Sequence, residues 1–319
     1  MKKINKLLVA GLLFALAAST FAASKKSIVC TTFPQYDWIA NILGNKAGSF
    51  ELTLLLNNGT DLHSYQPSVK DIAKISICDL FVYVGGESDE WVENVLPNAK
   101  NKSMLVVNML EALGDHVYEE ELVEGMQSEE EEDEDGEEEG PEYDEHIWLS
   151  LKNAAILTQL LSQNIQKLDL KNAGEYKRNA DAYISKLVEL DRQYSKVVGN
   201  SKNNILLYAD RFPFRYLVED YGLKYYAAFI GCSAESEASF ETIKFLADKL
   251  KQLALPAVLT LEKSDKKIAR TVIEASGKKD VKILEMDSIQ SVTQKEIKAG
   301  KNYLNTMEKN LETLKAALN

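Results

Sequence analysis

The chain has 319 residues, 45% of them hydrophobic and 27% charged, with a formal net charge of −12 and three cysteines. That length holds two domains or one large one, and the lack of any basic stripe excludes nucleic acid as a partner. Cys30, Cys78 and Cys232 form no CxxC pair, so neither a disulfide framework nor a cysteine-based zinc site is expected.

Residues 1–22 read as a secretory signal peptide. Lys2, Lys3 and Lys6 make a basic start, Leu7 to Ala18 an apolar run, and Thr20-Phe21-Ala22 a cleavage site of small residues. The run is shorter than the roughly 20 apolar residues of a membrane span, and no later segment reaches that length. The mature protein is expected in the periplasm or on the extracellular face.

From there strand-like and helix-like segments alternate. Lys26–Thr32, Glu51–Leu56, Asp79–Val84 and Met104–Met109 are predicted strands, rich in Val, Ile and Leu. Tyr36–Leu43, Ser68–Ile77 and Glu87–Val95 are predicted helices between them, which implies a mostly parallel sheet. Cys30 and Cys78 lie in or beside apolar stretches and read as buried thiols.

The segment 119–145 holds 17 acidic residues and no Lys or Arg, so the rest of the chain is near neutral. Like charges at this density repel, and a mobile loop is expected. It reads as a solvated tether, as a weak collector of cations, or as a contact for a basic partner.

Two helices are predicted next, Leu149–Leu168 and Ala173–Val198. In the second, Tyr176, Ala180, Tyr183, Leu187, Leu190, Tyr194 and Val197 follow one another by four and three residues, the pattern of one buried face. Strands at Asn204–Ala209, Tyr225–Ile230, Ala257–Leu261 and Val281–Met286 follow, with helices at Arg215–Tyr221, Phe240–Leu253, Lys266–Ala275 and Thr293–Leu318. The expected fold is α/β: two similar lobes, each with a mostly parallel four-stranded sheet, joined by a long backbone helix. The predicted boundaries are an N-terminal lobe 23–171, a linking helix 172–199 and a C-terminal lobe 200–319.

Of three histidines, His63 sits in a turn after a strand and His146 opens a helix after the acidic segment. Asp210 and Asp287 each follow a predicted strand, where open α/β sheets present ligand-binding groups. Two imidazoles and two carboxylates suit a divalent ion such as Zn²⁺, and Mn²⁺ accepts the same set. There is no GxSxG, no HExxH and no glycine-rich phosphate loop. The readings kept beside metal binding are a metal-dependent hydrolase and a surface adhesin.

Four segments, in order, resemble the zinc- and manganese-binding family of ABC-transporter solute-binding proteins. They are Thr31-Thr32-Phe33-Pro34-Gln35-Tyr36-Asp37-Trp38, Asp61-Leu62-His63-Ser64-Tyr65-Gln66-Pro67, Asp144-Glu145-His146-Ile147-Trp148-Leu149 and Met286-Asp287-Ser288-Ile289. The resemblance spans essentially the whole mature chain. It implies a monomeric, non-enzymatic binding protein that holds one metal, zinc first and manganese second, between its lobes and delivers it to the permease of an ABC importer. It also implies His63, His146 and Asp287 as ligands. The family's third ligand, usually His or Glu, falls on Arg211, which has no free lone pair. Asp210, one residue away, takes that role in this reading, with Glu235 and Glu237 in reserve. Arg211 is expected to pair with one of these carboxylates.

Overall fold

The computed structural model describes residues 25–127, 142–233 and 237–319. The predicted signal peptide, most of the acidic segment and Glu235 lie outside the described residues.

The first sheet contains β1 (Lys26–Cys30), β2 (Phe50–Leu54), β3 (Leu80–Tyr83) and β4 (Leu105–Asn108), in the spatial order β2-β1-β3-β4. Its helices are α1 (Phe33–Leu43), α2 (Val69–Ile77), α3 (Trp91–Val95) and α4 (Met109–Leu113). Two long helices follow, α5 (Leu151–Leu168) and α6 (Ala173–Gly199). The second sheet contains β5 (Ile205–Phe212), β6 (Lys224–Ile230), β7 (Ala257–Leu261) and β8 (Lys282–Met286), in the order β6-β5-β7-β8. With it come α7 (Arg215–Tyr221), α8 (Phe240–Gln252), α9 (Lys267–Ser276), α10 (Gln294–Lys298) and α11 (Tyr303–Ala317). Every named strand pair is parallel, and the two sheets share one topology. In both, the order reverses beside the first strand, so the crevice for a ligand lies at the carboxyl ends of the strands.

Local chemistry fixes the helix starts. Thr32 and Gln35 form a capping box at α1 with Pro34 in the first turn, and Ser68 with Asp71 does the same at α2. The α6 stripe is as the spacing predicts: Tyr176, Ala180, Tyr183, Leu187, Leu190 and Tyr194 are buried. At 1.5 Å per residue the helix is about 40 Å long. It packs on α1 and α5 from one lobe and on α7 and α11 from the other, so one apolar core runs through both.

Four expectations are corrected. The predicted helix Thr293–Leu318 is two helices, because Gly300 takes φ +95°, outside the helical region, and Asn302 caps a new start at Tyr303. The predicted helix Glu87–Val95 begins as a 3-10 turn at Glu87–Asp89, and only Trp91–Val95 is α-helical. The strand expected to end at Ala209 runs to Phe212, across a register shift between Tyr208 and Arg211. Asp210 therefore lies inside a strand, not past its end. Lastly, the described ends of the acidic segment are ordered. Glu120 N–H donates to Glu142 O (2.9 Å), Gln127 N–H donates to Ala228 O (3.0 Å), and Lys249 pairs with Glu124 (3.0 Å). Backbone pairing and opposite charge on the second lobe hold these flanks against the repulsion the composition suggested.

Candidate metal centre

His63 is delivered by the turn after β2. Asp61 caps a 3-10 turn at Leu62–Ser64, its side chain accepting from His63 N–H at 3.2 Å. The ring's Nδ1 lies 2.8 Å from Ser88 Oγ, and Ser88 N–H donates to Glu145 Oε1 at 2.8 Å. Glu145 Oε2 is buried 3.5 Å from the same ring nitrogen, and no hydrogen bond reaches it among the described residues. Gly86 takes φ +77°, and a Cβ there would stand 2.5 Å from Glu145 Oε1, so glycine is required twice over at this point.

His146 is fully buried ahead of α5. Asp144 Oδ1 accepts from His146 N–H at 2.8 Å and lies 2.9 Å from the ring's Nδ1. That leaves Nε2 facing the crevice, the carboxylate–histidine arrangement that orients metal ligands. The two Nε2 atoms are 3.2 Å apart. Two nitrogens on one tetrahedral zinc, each at about 2.1 Å, would be about 3.4 Å apart.

The two rings differ electrostatically. Burial, then the neighbouring His146, depresses the pKa of His63 to about 3, so this imidazole is neutral. Burial acts the same way on His146, but Asp144, with Asp61 and Glu145, outweighs it and holds the pKa above its usual value. Gln290, itself buried, stands over His146. With its amide turned to satisfy both neighbours, its nitrogen donates to Asp61 Oδ1 (2.8 Å) and Oδ2 (2.9 Å), and its oxygen accepts from His146 Nε2. A metal ion would take the place of the proton on that nitrogen.

From the second lobe, Arg211 Nη2 donates to Asp61 Oδ2 at 2.7 Å and Nη1 to Ser233 O at 3.1 Å. Arg211 thus pairs across the crevice with Asp61 and not with Asp210 or Glu237, while the expected pairing with Glu235 falls outside the described residues. Beside Ser233, Cys232 Sγ and one ring nitrogen each of His63 and His146 lie within 4.8 Å of one another. Gly231 makes this approach possible: a Cβ there would be 3.0 Å from Phe212 O and 3.2 Å from the His146 ring.

The structure therefore brings His63 and His146 together. Asp210 and Asp287 stand outside the group these two form with Cys232. Asp210 Oδ2 accepts from Leu261 N–H (3.2 Å), tying β5 to β7. Asp287 accepts from Ile289 N–H (2.8 Å) and pairs with Lys301 (2.5 Å). Cys30 and Cys78 are buried as expected, and Cys232, to which the sequence assigns no role, stands beside the two histidines. Cys232, Gln290 and Asp144 are neighbours of the two histidines that the sequence reading did not single out. Asp144 alone had a local signal, a carboxylate two residues before a histidine in a motif already singled out.

A family model described as zinc-uptake complex component A, periplasmic, matches residues 28–317. The zinc-binding lipoprotein AdcA of Streptococcus pneumoniae strain R6 is 34% identical over 321 residues, covering 99% of this chain and 61% of the relative. The high-affinity zinc uptake system protein ZnuA of Bacillus subtilis is 27% identical over 295 residues, covering 92% of this chain and 88% of the relative. Among solved structures, the Zn(II)-bound ZnuA-like domain of S. pneumoniae AdcA has a TM-score of 0.71 at 28% identity, covering 92% of this chain and 99% of the other. The chain spans about three fifths of the length of the AdcA relatives it matches.

Proposed function

This chain belongs to the family of periplasmic zinc-uptake components, and from that premise we propose that it captures Zn²⁺ outside the cytoplasm and delivers it to the permease of an ABC importer. The observation that carries the reading is the pair of Nε2 atoms 3.2 Å apart, each ring backed at Nδ1 by Ser88 or Asp144. Such a pair is built to share an ion: the distance matches two ligands on one zinc, and the backing partners fix which nitrogen faces inward.

Zinc is cargo in this proposal, and the protein acts as a monomer with no catalytic role. His63 and His146 are the fixed ligands. Asp287 and Asp210 are proposed further donors, the first by giving up Lys301 and the second by leaving Leu261 N–H. The predicted lobe boundaries, 23–171 and 200–319 with a linking helix between them, belong to the same proposal. So does export by the predicted signal peptide. Among the described residues no helix is long and apolar enough to cross a membrane.

Metal analysis of the purified protein, with competitive titration of Zn²⁺ against Mn²⁺, tests the proposal. One tightly held zinc, lost in His63→Ala, is the expected result. One manganese would keep the transport role and change the cargo, and no stoichiometric metal would overturn the reading.

A further inference from the structure

We propose that Cys232 binds the metal as a thiolate, completing a two-histidine, one-cysteine set with His63 and His146; the inference rests on the metal-capture reading above. Three observations carry it. The first is proximity: the sulfur and one ring nitrogen of each histidine lie within 4.8 Å of one another. On a tetrahedral zinc, with Zn–S about 2.3 Å and Zn–N about 2.1 Å, nitrogen and sulfur would be about 3.6 Å apart. From the 4.8 Å bound, an adjustment of about 1.2 Å or less closes the set.

The second is that the loop is held in place from both sides. Cys232 N–H donates to Glu120 Oε1 at 3.2 Å, and the next carbonyl, Ser233 O, accepts from Arg211 at 3.1 Å. The cysteine is thereby fixed between the root of the acidic segment and the guanidinium that reaches across to Asp61.

The third is topology. Strand order is β2-β1-β3-β4 in one sheet and β6-β5-β7-β8 in the other. Cys232 follows β6 as His63 follows β2, so the corresponding turn of each lobe offers one donor to the shared crevice. At the position where the family's third ligand is expected, the second lobe presents Arg211, which has no lone pair to give.

On binding, the S–H bond breaks, a metal–sulfur bond forms, and the proton passes to solvent; no electrons are transferred. The consequence is selectivity. Thiolate and imidazole favour Zn²⁺, whereas Mn²⁺ prefers carboxylate and water. A sulfur ligand would make this protein discriminate more sharply than a set of histidines and carboxylates.

The test uses three samples: wild type, Cys232→Ser and His63→Ala. Loaded with Co²⁺, the wild type should show the near-ultraviolet charge-transfer absorption of a cobalt–thiolate bond, and Cys232→Ser should lack it while keeping a wild-type circular dichroism spectrum. Zinc should slow alkylation of Cys232 by iodoacetamide at least tenfold. Preference for Zn²⁺ over Mn²⁺ should fall at least tenfold in Cys232→Ser. If His63→Ala loses zinc but Cys232→Ser binds it as the wild type does, without a cobalt–thiolate band in either, the role of Cys232 is overturned and metal capture stands. If the wild type takes up no metal, both fall together.

Discussion

In the N-terminal lobe the donors are oriented from within. Asp61 caps the turn that carries His63, Ser88 backs that ring, and Asp144 backs His146. In the C-terminal lobe, with the same strand order, side chains at the crevice also hydrogen-bond across it. Arg211 reaches Asp61, and Gln290 reaches both Asp61 and His146. The first lobe therefore presents a preorganised pair of ligands, and the second supplies groups whose partners sit on the opposite wall. Equal topology does not produce equal roles, because strand order fixes where a loop emerges and not which side chain it carries.

The back of the molecule behaves differently again. There Asp37 Oδ2, on α1, accepts from Tyr183 Oη of α6 (3.3 Å) and Tyr303 N–H of α11 (3.1 Å). Trp38 packs edge-on against Tyr303 with ring centroids 5.2 Å apart. Joined by buried aromatic packing there and by exchangeable polar contacts in front, the lobes should adjust to an ion mainly at the crevice.

The contrast can be broken most directly at the preorganised pair. His146→Ala should weaken zinc binding by more than about 100-fold, beyond the roughly 10–100-fold typical of supporting groups. Near-wild-type affinity by titration calorimetry would show that the first lobe is not the anchor. Next in size, Asp144→Asn keeps an acceptor for His146 but removes its charge. Affinity should drop about 10–100-fold, with little change in melting temperature. An unchanged affinity would make the backing of this ring merely structural.

A third prediction probes the back. Burial raises the pKa of Asp37 to about 6, against the hydrogen bonds from Tyr303 and Tyr183. A carboxyl raised in the folded state favours folding most below its unfolded pKa of roughly 3.9, and that contribution is lost as pH rises through the folded value. Asp37→Asn can accept the same hydrogen bonds without ionising. It should be more stable than wild type by about 3 kcal/mol above pH 7, and the gap should close toward pH 4. Thermal melts across that range check it; a gap that widens toward pH 4 would mean that the charge is stabilising. Smallest is Gly231→Ala. Its Cβ would press on Phe212 O and the His146 ring, so a loss of about 1 kcal/mol, a several-fold weaker zinc affinity, is expected. Calorimetry again decides, with no change meaning that the loop yields freely.

Much of this molecule was legible in its sequence. The α6 stripe, the two sets of four strands among the described residues, and the motifs around His63 and His146 are local patterns, set by the helical and strand periods and by capping chemistry. Gly300 and Asn302 also signal the break in the predicted helix Thr293–Leu318. What local pattern cannot supply is which of two adjacent side chains faces the crevice. Asp210 and Arg211 are consecutive in a strand, where side chains alternate, and it is Arg211 that meets Asp61 while Asp210 turns to Leu261 N–H. Asp287 is chemically able, yet Gln290, three residues on, touches His146. Cys232 lies far along the chain from His63 and His146, and only the packing of two sheets around one helix sets all three around a common point. Sequence period fixes the elements because their bonds are local; the site was decided by tertiary structure because its contacts join residues that no period relates.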